Sequence, residues 1–418
     1  MIQEKAYYYN LEQFLSSSLQ SFQVLHIDMK KYGNQIGDEG ASSLGSGLGK
    51  CTNLLNLILH LRSNQISDEG VLQLGSGLGK CSNLSNLILD LQENQIRAIG
   101  TSNLGYGLGK CTNLSNLTLN LALNKIGAIG ASGLGLWKCT NLTNLILNLW
   151  ENQIGGEGAT VLGSDLGKCT NLQNLALHLS LNKIDAIGAS GLGNGLGKCT
   201  NLLNLTLNLW SNQIGQEGAS CLGSGLGKCP NLSNLSLDLQ NNQIGAIGAS
   251  SLGSGLGNCA NLQNLKLELQ GNLIGNEDTP DIASGLGKCT NLSNLTLHLS
   301  LNKIGTVGAS GLGSGLGKCT NLSNLTLDLG WNEIDAIGAS GLGSCLWKCT
   351  NLSTMTLNLL RNQIGEQGAS DLGFGLAKCT NLSNLTLHIS EDKIKISKQL
   401  KVRCLKSKRL VDLKIKQI

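Results

Sequence analysis

His60, Asp90, Asn120, Asn148, His178, Asn208, Asp238, Glu268, His298, Asp328, Asn358 and His388 recur every 30 residues, broken once by an interval of 28. Imidazole, carboxylate and carboxamide are the only chemistries in this column, and four of the chain's five histidines belong to it. Such groups exchange hydrogen bonds and protons, and can ligate metals. They admit three readings. A polar stripe would recognise a partner and respond to pH, because imidazole titrates near neutrality. A cluster of Glu268, His298 and Asp328 would hold a metal or hydrolyse a substrate. A solvated face would only keep the surface wet. The second reading is poorly supported, since a flat stripe offers no enclosed pocket, no oriented third ligand and no oxyanion donor. No catalytic residue, metal or cofactor is expected.

A second column, two residues further along the chain, carries Trp150, Ser180 and Trp210. Two exposed tryptophans two strands apart, roughly 10 Å, would flank a small groove floored by Ser180. Exposed tryptophan is enriched where binding energy concentrates. Beside it, Asp238 and Glu268 make an acidic stretch that suits a basic partner.

The element that must position these residues is the repeat itself, Asn201 to Cys229: NLLNLTLNLWSNQIGQEGASCLGSGLGKC. Leu205, Leu207 and Leu209 alternate with Thr206, Asn208 and Trp210, which is strand spacing. Ala219, Leu222 and Leu226 follow in steps of three and four, which is helix spacing. Each unit is therefore a strand, a turn and a return helix. One unit cannot bury its own apolar side, so units must stack. The strands then form a parallel sheet with about 4.8 Å per turn, while helices need roughly 10 Å each. The mismatch bends the stack and puts the strands inside.

The pattern L-x-x-L-x-L-x-L-x-x-N-x-I, seen from Leu202 to Ile214, resembles a leucine-rich repeat. The long unit, its G-x-x-G-A-x-x-L helix and its closing cysteine are similar to the ribonuclease-inhibitor-like subfamily. The resemblance spans roughly residues 22 to 390. It implies an α/β leucine-rich repeat solenoid, a horseshoe with a parallel β-sheet on the concave face and Gly-rich helices on the convex face. It further implies a non-catalytic protein-binding scaffold. The second reading it offers is a regulator of an enzyme, of nuclease-inhibitor or GTPase-activator type. The first would need a strongly acidic concave face and the second a dedicated arginine. Arg62 and Arg361 lie near the inner face, but neither stands apart. Candidate contacts are Trp150, Trp210, Ser180, His178, Asn208, Asp238, Glu268, His298 and Asp328.

The repeats predict one elongated domain: an N-terminal cap over 1–31, about twelve repeats over 32–390, and a basic cap over 391–418. In the first cap, Leu11, Phe14, Leu15 and Leu19 predict a short amphipathic helix and Val24 to Met29 a degenerate first strand. In the last, Lys393 to Lys406 predict a basic helix, and Leu410, Leu413 and Ile415 a closing strand. A net charge of +4 is too small to point to nucleic acid. The start MIQEKAYYYNLEQF has no apolar stretch of the kind a leader needs, so no targeting segment is expected, and no run approaches the 18 apolar residues of a membrane span.

Twelve of the 15 cysteines hold one repeat position, from Cys51 to Cys379. That regularity reads as a buried apolar column in a reducing, cytoplasmic compartment, rather than as disulfides or zinc ligands. Gly-Ser-Gly-Leu-Gly-Lys at Gly45–Lys50 mimics a phosphate loop but has the wrong spacing and ends a helix. The lysines closing these copies read as partners of helix C-termini. Gly223, Gly225 and Gly227 in one short helix would each cost up to about 1 kcal/mol relative to alanine, so the helices are expected to fray into turns. Two irregularities stand out. The unit ending GASGLGLWKC (Gly130–Cys139) lacks two helix residues, with Trp137 expected to fill the gap. At Asn276–Pro280 the usual Gly-Ala is lost, and Asp278 or Thr279 is expected to cap a helix whose first turn holds Pro280.

Overall fold

The computed structural model describes residues 5–30, 36–277, 279–389 and 412–417. The chain divides into two compact units, Met1–Leu202 with Thr206–Asn212, and Leu203–Leu205 with Gln213–Ile418. Each unit alternates short parallel strands with return helices, an open α/β solenoid. In the first, strands follow in chain order from Lys5–Tyr8 to Asn174–His178. In the second they run from Asn234–Asp238 to Asp412–Gln417. Pairing is residue for residue: Asn86 lies opposite Asn116 and Asp90 opposite Asn120, as Asn264 lies opposite Asn294 and Glu268 opposite His298.

Alternation decides which side each residue takes. Leu117, Leu119 and Leu121 turn inward and are buried, and Leu104, Leu108 and Ile96 of the preceding repeat are buried as well. Each such leucine contributes roughly 1.5–3 kcal/mol when removed from water. Stacking then depends on the asparagine of the N-x-I step. Asn124 Nδ2 donates to the Leu91 carbonyl of the preceding turn at 3.1 Å, while its Oδ1 accepts from the Ile96 amide at 3.0 Å. In the second unit Asn302 does the same with Leu269 (3.0 Å) and Ile274 (3.0 Å). Asn124 and Asn272 are buried, so these bonds replace water that their backbone partners cannot reach. The other asparagines also bridge turns: Asn201 Nδ2 donates to the Thr170 carbonyl at 2.9 Å.

The helices do not fray. Asp68–Leu78 and Gly245–Leu256 run 11 and 12 residues. Propensity misjudged the glycines because it treats a helix alone. A β-carbon on Gly77 would stand 1.9 Å from the Gly45 carbonyl oxygen, and one on Gly255 would stand 2.2 Å from that of Gly223. Neighbouring helices meet backbone to backbone, closer than side chains at the contact would allow.

The two irregular units resolve differently from expectation. The short one forms a helix over Gly127–Gly133 and a 3-10 turn over Leu136–Lys138, joined by Gly135 at φ +52°. Trp137 does not fill the gap: it is 42% exposed, and Leu136 is buried instead. Trp347 holds the same repeat position after a full-length helix and is 41% exposed, so the outward ring belongs to the helix end and not to the missing residues. At the other, the helix is Thr279–Leu286 with Pro280 in its first turn. Thr279 is buried and donates its hydroxyl to the Gly275 carbonyl at 2.8 Å, so it bonds backward rather than capping. Asp278 lies outside the described residues.

At the N-terminal end the helix is Leu11–Leu15, capped by Asn10, and it buries Phe14. An unforeseen strand, Lys5–Tyr8, precedes it and pairs with Val24–Asp28. At the other end Leu413 and Ile415 pair with Leu385 and Leu387. Leu410, Lys393 to Lys406 and the 31/32 and 390/391 boundaries lie outside the described residues.

The cysteine column is buried, and its thiols bond across turns: Cys81 Sγ donates to the Leu48 carbonyl at 3.3 Å, and Cys349 Sγ to that of Leu316 at 3.2 Å. Burial pushes the Cys81 and Cys349 thiols up to about 12.

Two outcomes are expected. Gly77→Ala lowers the urea-unfolding free energy by roughly 1–3 kcal/mol or more, whereas Ser76→Ala, at an exposed neighbour, stays within about 0.5 kcal/mol. With Ellman's reagent on the native protein, exposed Cys221 reacts early, and the column from Cys51 to Cys379 reacts only after unfolding. Rapid reaction of the column would contradict the burial just described.

Candidate functional site

The polar column lies on the strand side opposite the leucines. Strand neighbours about 4.8 Å apart crowd one another, so these side chains are half-buried rather than open. In the second unit the register brings Asp238, Glu268, His298 and Asp328 side by side. Glu268 is only 6% exposed. Its Oε2 lies 2.6 Å from His298 Nδ1 and its Oε1 lies 3.0 Å from Lys266 Nζ. Burial raises the Glu268 carboxyl, but the bonds and charges of His298 and Lys266 outweigh it and hold the group below its ordinary value. The same bond raises the His298 imidazole against the opposing effect of burial, with help from the charges of Glu268 and Asp328. Asp328 Oδ1 accepts from the Gly330 amide at 3.0 Å and from Asn358 Nδ2 at 2.8 Å. Asp238 accepts from the Gln240 amide at 3.1 Å, and burial raises its carboxyl.

Lys266 escaped the sequence reading. The matching strand position holds Ser236, Thr296, Thr326, Thr356 and Thr386 in the other repeats of this unit and Lys414 in the closing strand, so a cation within the repeats was the available signal. Among the described residues no group of three His, Cys, Asp or Glu side chains could hold a metal ion.

In the first unit the column starts one strand earlier than expected. Asp28 lies opposite His60, and His60 opposite Asp90. His60 Nδ1 stands 3.9 Å from Asp90 Oδ2 and is buried without a hydrogen-bond partner, as is His26 Nε2. The rings of His26 and His60 meet edge to face with centroids 5.6 Å apart. Burial lowers the His60 imidazole, and the Lys30 charge adds to it against the carboxylates of Asp28 and Asp90. Burial likewise lowers His178, which lies opposite Asn148.

The tryptophans are not the exposed pair that the sequence implied. Trp150 and Trp210 are half-buried, whereas Trp331 is 56% exposed, with the Arg361 guanidinium 5.1 Å from its ring centre. The same strand crowding that encloses the polar column encloses them. Ser180, at 5% exposure, donates to Asn208 Oδ1 at 2.8 Å, and that oxygen also accepts from the Trp210 amide at 3.0 Å. Ser180 is thereby tied into the face, and its hydroxyl proton is engaged. Arg62 pairs with Glu93 at 3.4 Å.

The family comparison agrees with this architecture. A model described as Leucine Rich repeat matches residues 33–45, 56–75, 113–135, 201–223, 233–253, 291–313 and 321–343. No curated protein shows a significant match. Among solved structures, 85 chains match. One is "Leiomodin-1 Actin-Binding Site 2 (ABS2)", 16% identical over 33% of this chain and 77% of that chain, with a TM-score of 0.27. No helix among the described residues is long and apolar enough to cross a membrane.

The imidazoles split in direction, and so do their contributions to stability. His298, raised, stabilises fully below its ordinary value of 6.5, and that contribution is lost as pH rises through its folded value. Glu268, lowered, stabilises above 4.5 and loses that contribution as pH falls through its folded value. His60 and His178, lowered, oppose folding as pH drops below 6.5. Histidine NMR titration is therefore expected to place His298 above 6.5 and His60 and His178 below it, with Glu268→Gln bringing His298 down. A common midpoint for the three would contradict these environments.

Proposed function

We propose that this chain of leucine-rich repeats is a non-catalytic scaffold that binds another protein through its strand face. The observation that carries the reading is the clamped carboxylate of Glu268. A charge that is 6% exposed and held from two sides by Lys266 and His298 is fixed before any partner arrives, and prefixed groups lose little freedom on binding. Around it, Asp238 and Asp328 keep carboxylates on a half-buried face, where charge complementarity selects partners. Trp150, Ser180, Trp210, His178 and Asn208 are the corresponding contacts proposed for the first unit. Leucine-rich repeats commonly bind proteins, which supports the same reading. The long unit with a full return helix supports placing these repeats with the ribonuclease-inhibitor-like type, and the buried, unpaired thiols support a reducing, cytoplasmic setting. Arg62 is occupied by Glu93 and Arg361 lies over Trp331, so neither favours a GTPase-activating role.

The test compares capture of cellular proteins by the wild type, by Asp238→Lys/Asp328→Lys and by Trp150→Ala/Trp210→Ala, identified by mass spectrometry. A protein held by the wild type and lost by either variant supports the strand face as its site. Equal recovery by all three would move binding elsewhere on the chain.

A further inference from the structure

The helices of the first unit end in a row of lysines: Lys50, Lys80, Lys110, Lys138, Lys168 and Lys198, all exposed. The row is ordered by the glycines that close the helices. Positions where Gly49, Gly79, Gly109 and Gly167 would carry a β-carbon lie 3.0, 3.1, 2.9 and 3.1 Å from Cδ of Lys80, Lys110, Lys138 and Lys198. Each stem thus lies across the end of the preceding helix, and its ammonium stays in water.

Two rings stand within this row. Tyr106 is 60% exposed, with Lys110 Nζ 4.3 Å and Lys138 Nζ 5.8 Å from its centre. Trp137 is 42% exposed, with Lys138 Nζ at 5.8 Å and Lys168 Nζ at 5.1 Å. A helix C-terminus accounts for the lysines. It does not account for large rings exposed between them. Among the described residues the row forms one ion pair, Lys168 with the buried Asp165 at 3.0 Å, so its positive charge is almost uncompensated.

We propose that this row binds single-stranded nucleic acid, with phosphates along the ammoniums and bases stacked on Tyr106 and Trp137. A nucleic acid strand presents both charges and flat rings, and the row offers six ammoniums to the first and two rings to the second. An acidic peptide supplies charge without a ring at each step. A lipid surface supplies charge in a plane, whereas the row is one lysine wide. The chain's net charge of +4 conceals this local excess.

The test is fluorescence anisotropy of a labelled 20-residue oligothymidylate with the full-length protein at several salt concentrations. Binding is expected to weaken as salt rises, with the logarithmic slope falling by about 0.7 for each lysine removed in Lys110→Ala/Lys138→Ala. Tyr106→Ala and Trp137→Ala are each expected to weaken binding roughly fivefold to hundredfold without changing that slope. Tyr106→Phe and Trp137→Phe keep a ring and retain most of the affinity, which separates stacking from misfolding. The proposal is overturned by absence of binding at low salt or by equal affinity of the alanine ring variants and wild type. It is also overturned by stronger binding to polyglutamate or to phosphatidylserine vesicles than to the oligonucleotide.

Discussion

The carboxamide that bridges successive turns is the interaction on which each unit depends. A parallel sheet built from near-identical strands could slip by a repeat position without changing which face is apolar. Asn124 and its counterparts prevent this by using both ends of one amide, donating to one turn's leucine carbonyl and accepting from its isoleucine amide. The same Nδ2 also donates to the Leu121 and Ala122 carbonyls of its own turn at 2.9 and 3.2 Å, so one amide ties two turns together. Once the turn after each strand is fixed, the pairing of Asp90 with Asn120, or of Glu268 with His298, follows from it.

The sequence made the repeat, the strand alternation and the buried cysteine column legible because each rests on spacing within one unit. What it left hidden depends on residues one unit away. The glycines looked like weak points because propensity considers a helix by itself, yet Gly77 exists for Gly45 in the preceding turn. Glu268 looked solvated because alternation ranks faces, not depth along a face, and the one signal nearby was Lys266, where the other repeats of that unit carry Ser or Thr. Trp150 and Trp210 looked open for the same reason. The missing residues before Cys139 were visible, but which side chain would turn inward depended on a left-handed Gly135 that a pattern does not reveal.

Charge is therefore distributed at two depths. On the strand side, carboxylates and imidazoles are buried or half-buried, so their protonation is set by burial and, for Glu268 and His298, by the bond between them. On the helix side, ammoniums stand in water and act through number and spacing. Screening affects the second far more than the first. A chain with little net charge thus presents a short-range, geometry-dependent surface and a long-range, salt-dependent one.

The glycine contacts carry a consequence for how such a chain can change length. Within a unit, each helix offers its neighbour the same bare backbone groove, and each bridging amide finds the same two acceptor and donor groups. A whole 30-residue module removed at a constant phase would leave ends that meet matching surfaces, so array length is nearly independent of interface chemistry. The 28-residue module is the exception. Its helix stops at Gly133 and its 3-10 turn follows a left-handed Gly135, so its backbone differs from the full-length helices and marks one position in an otherwise interchangeable series.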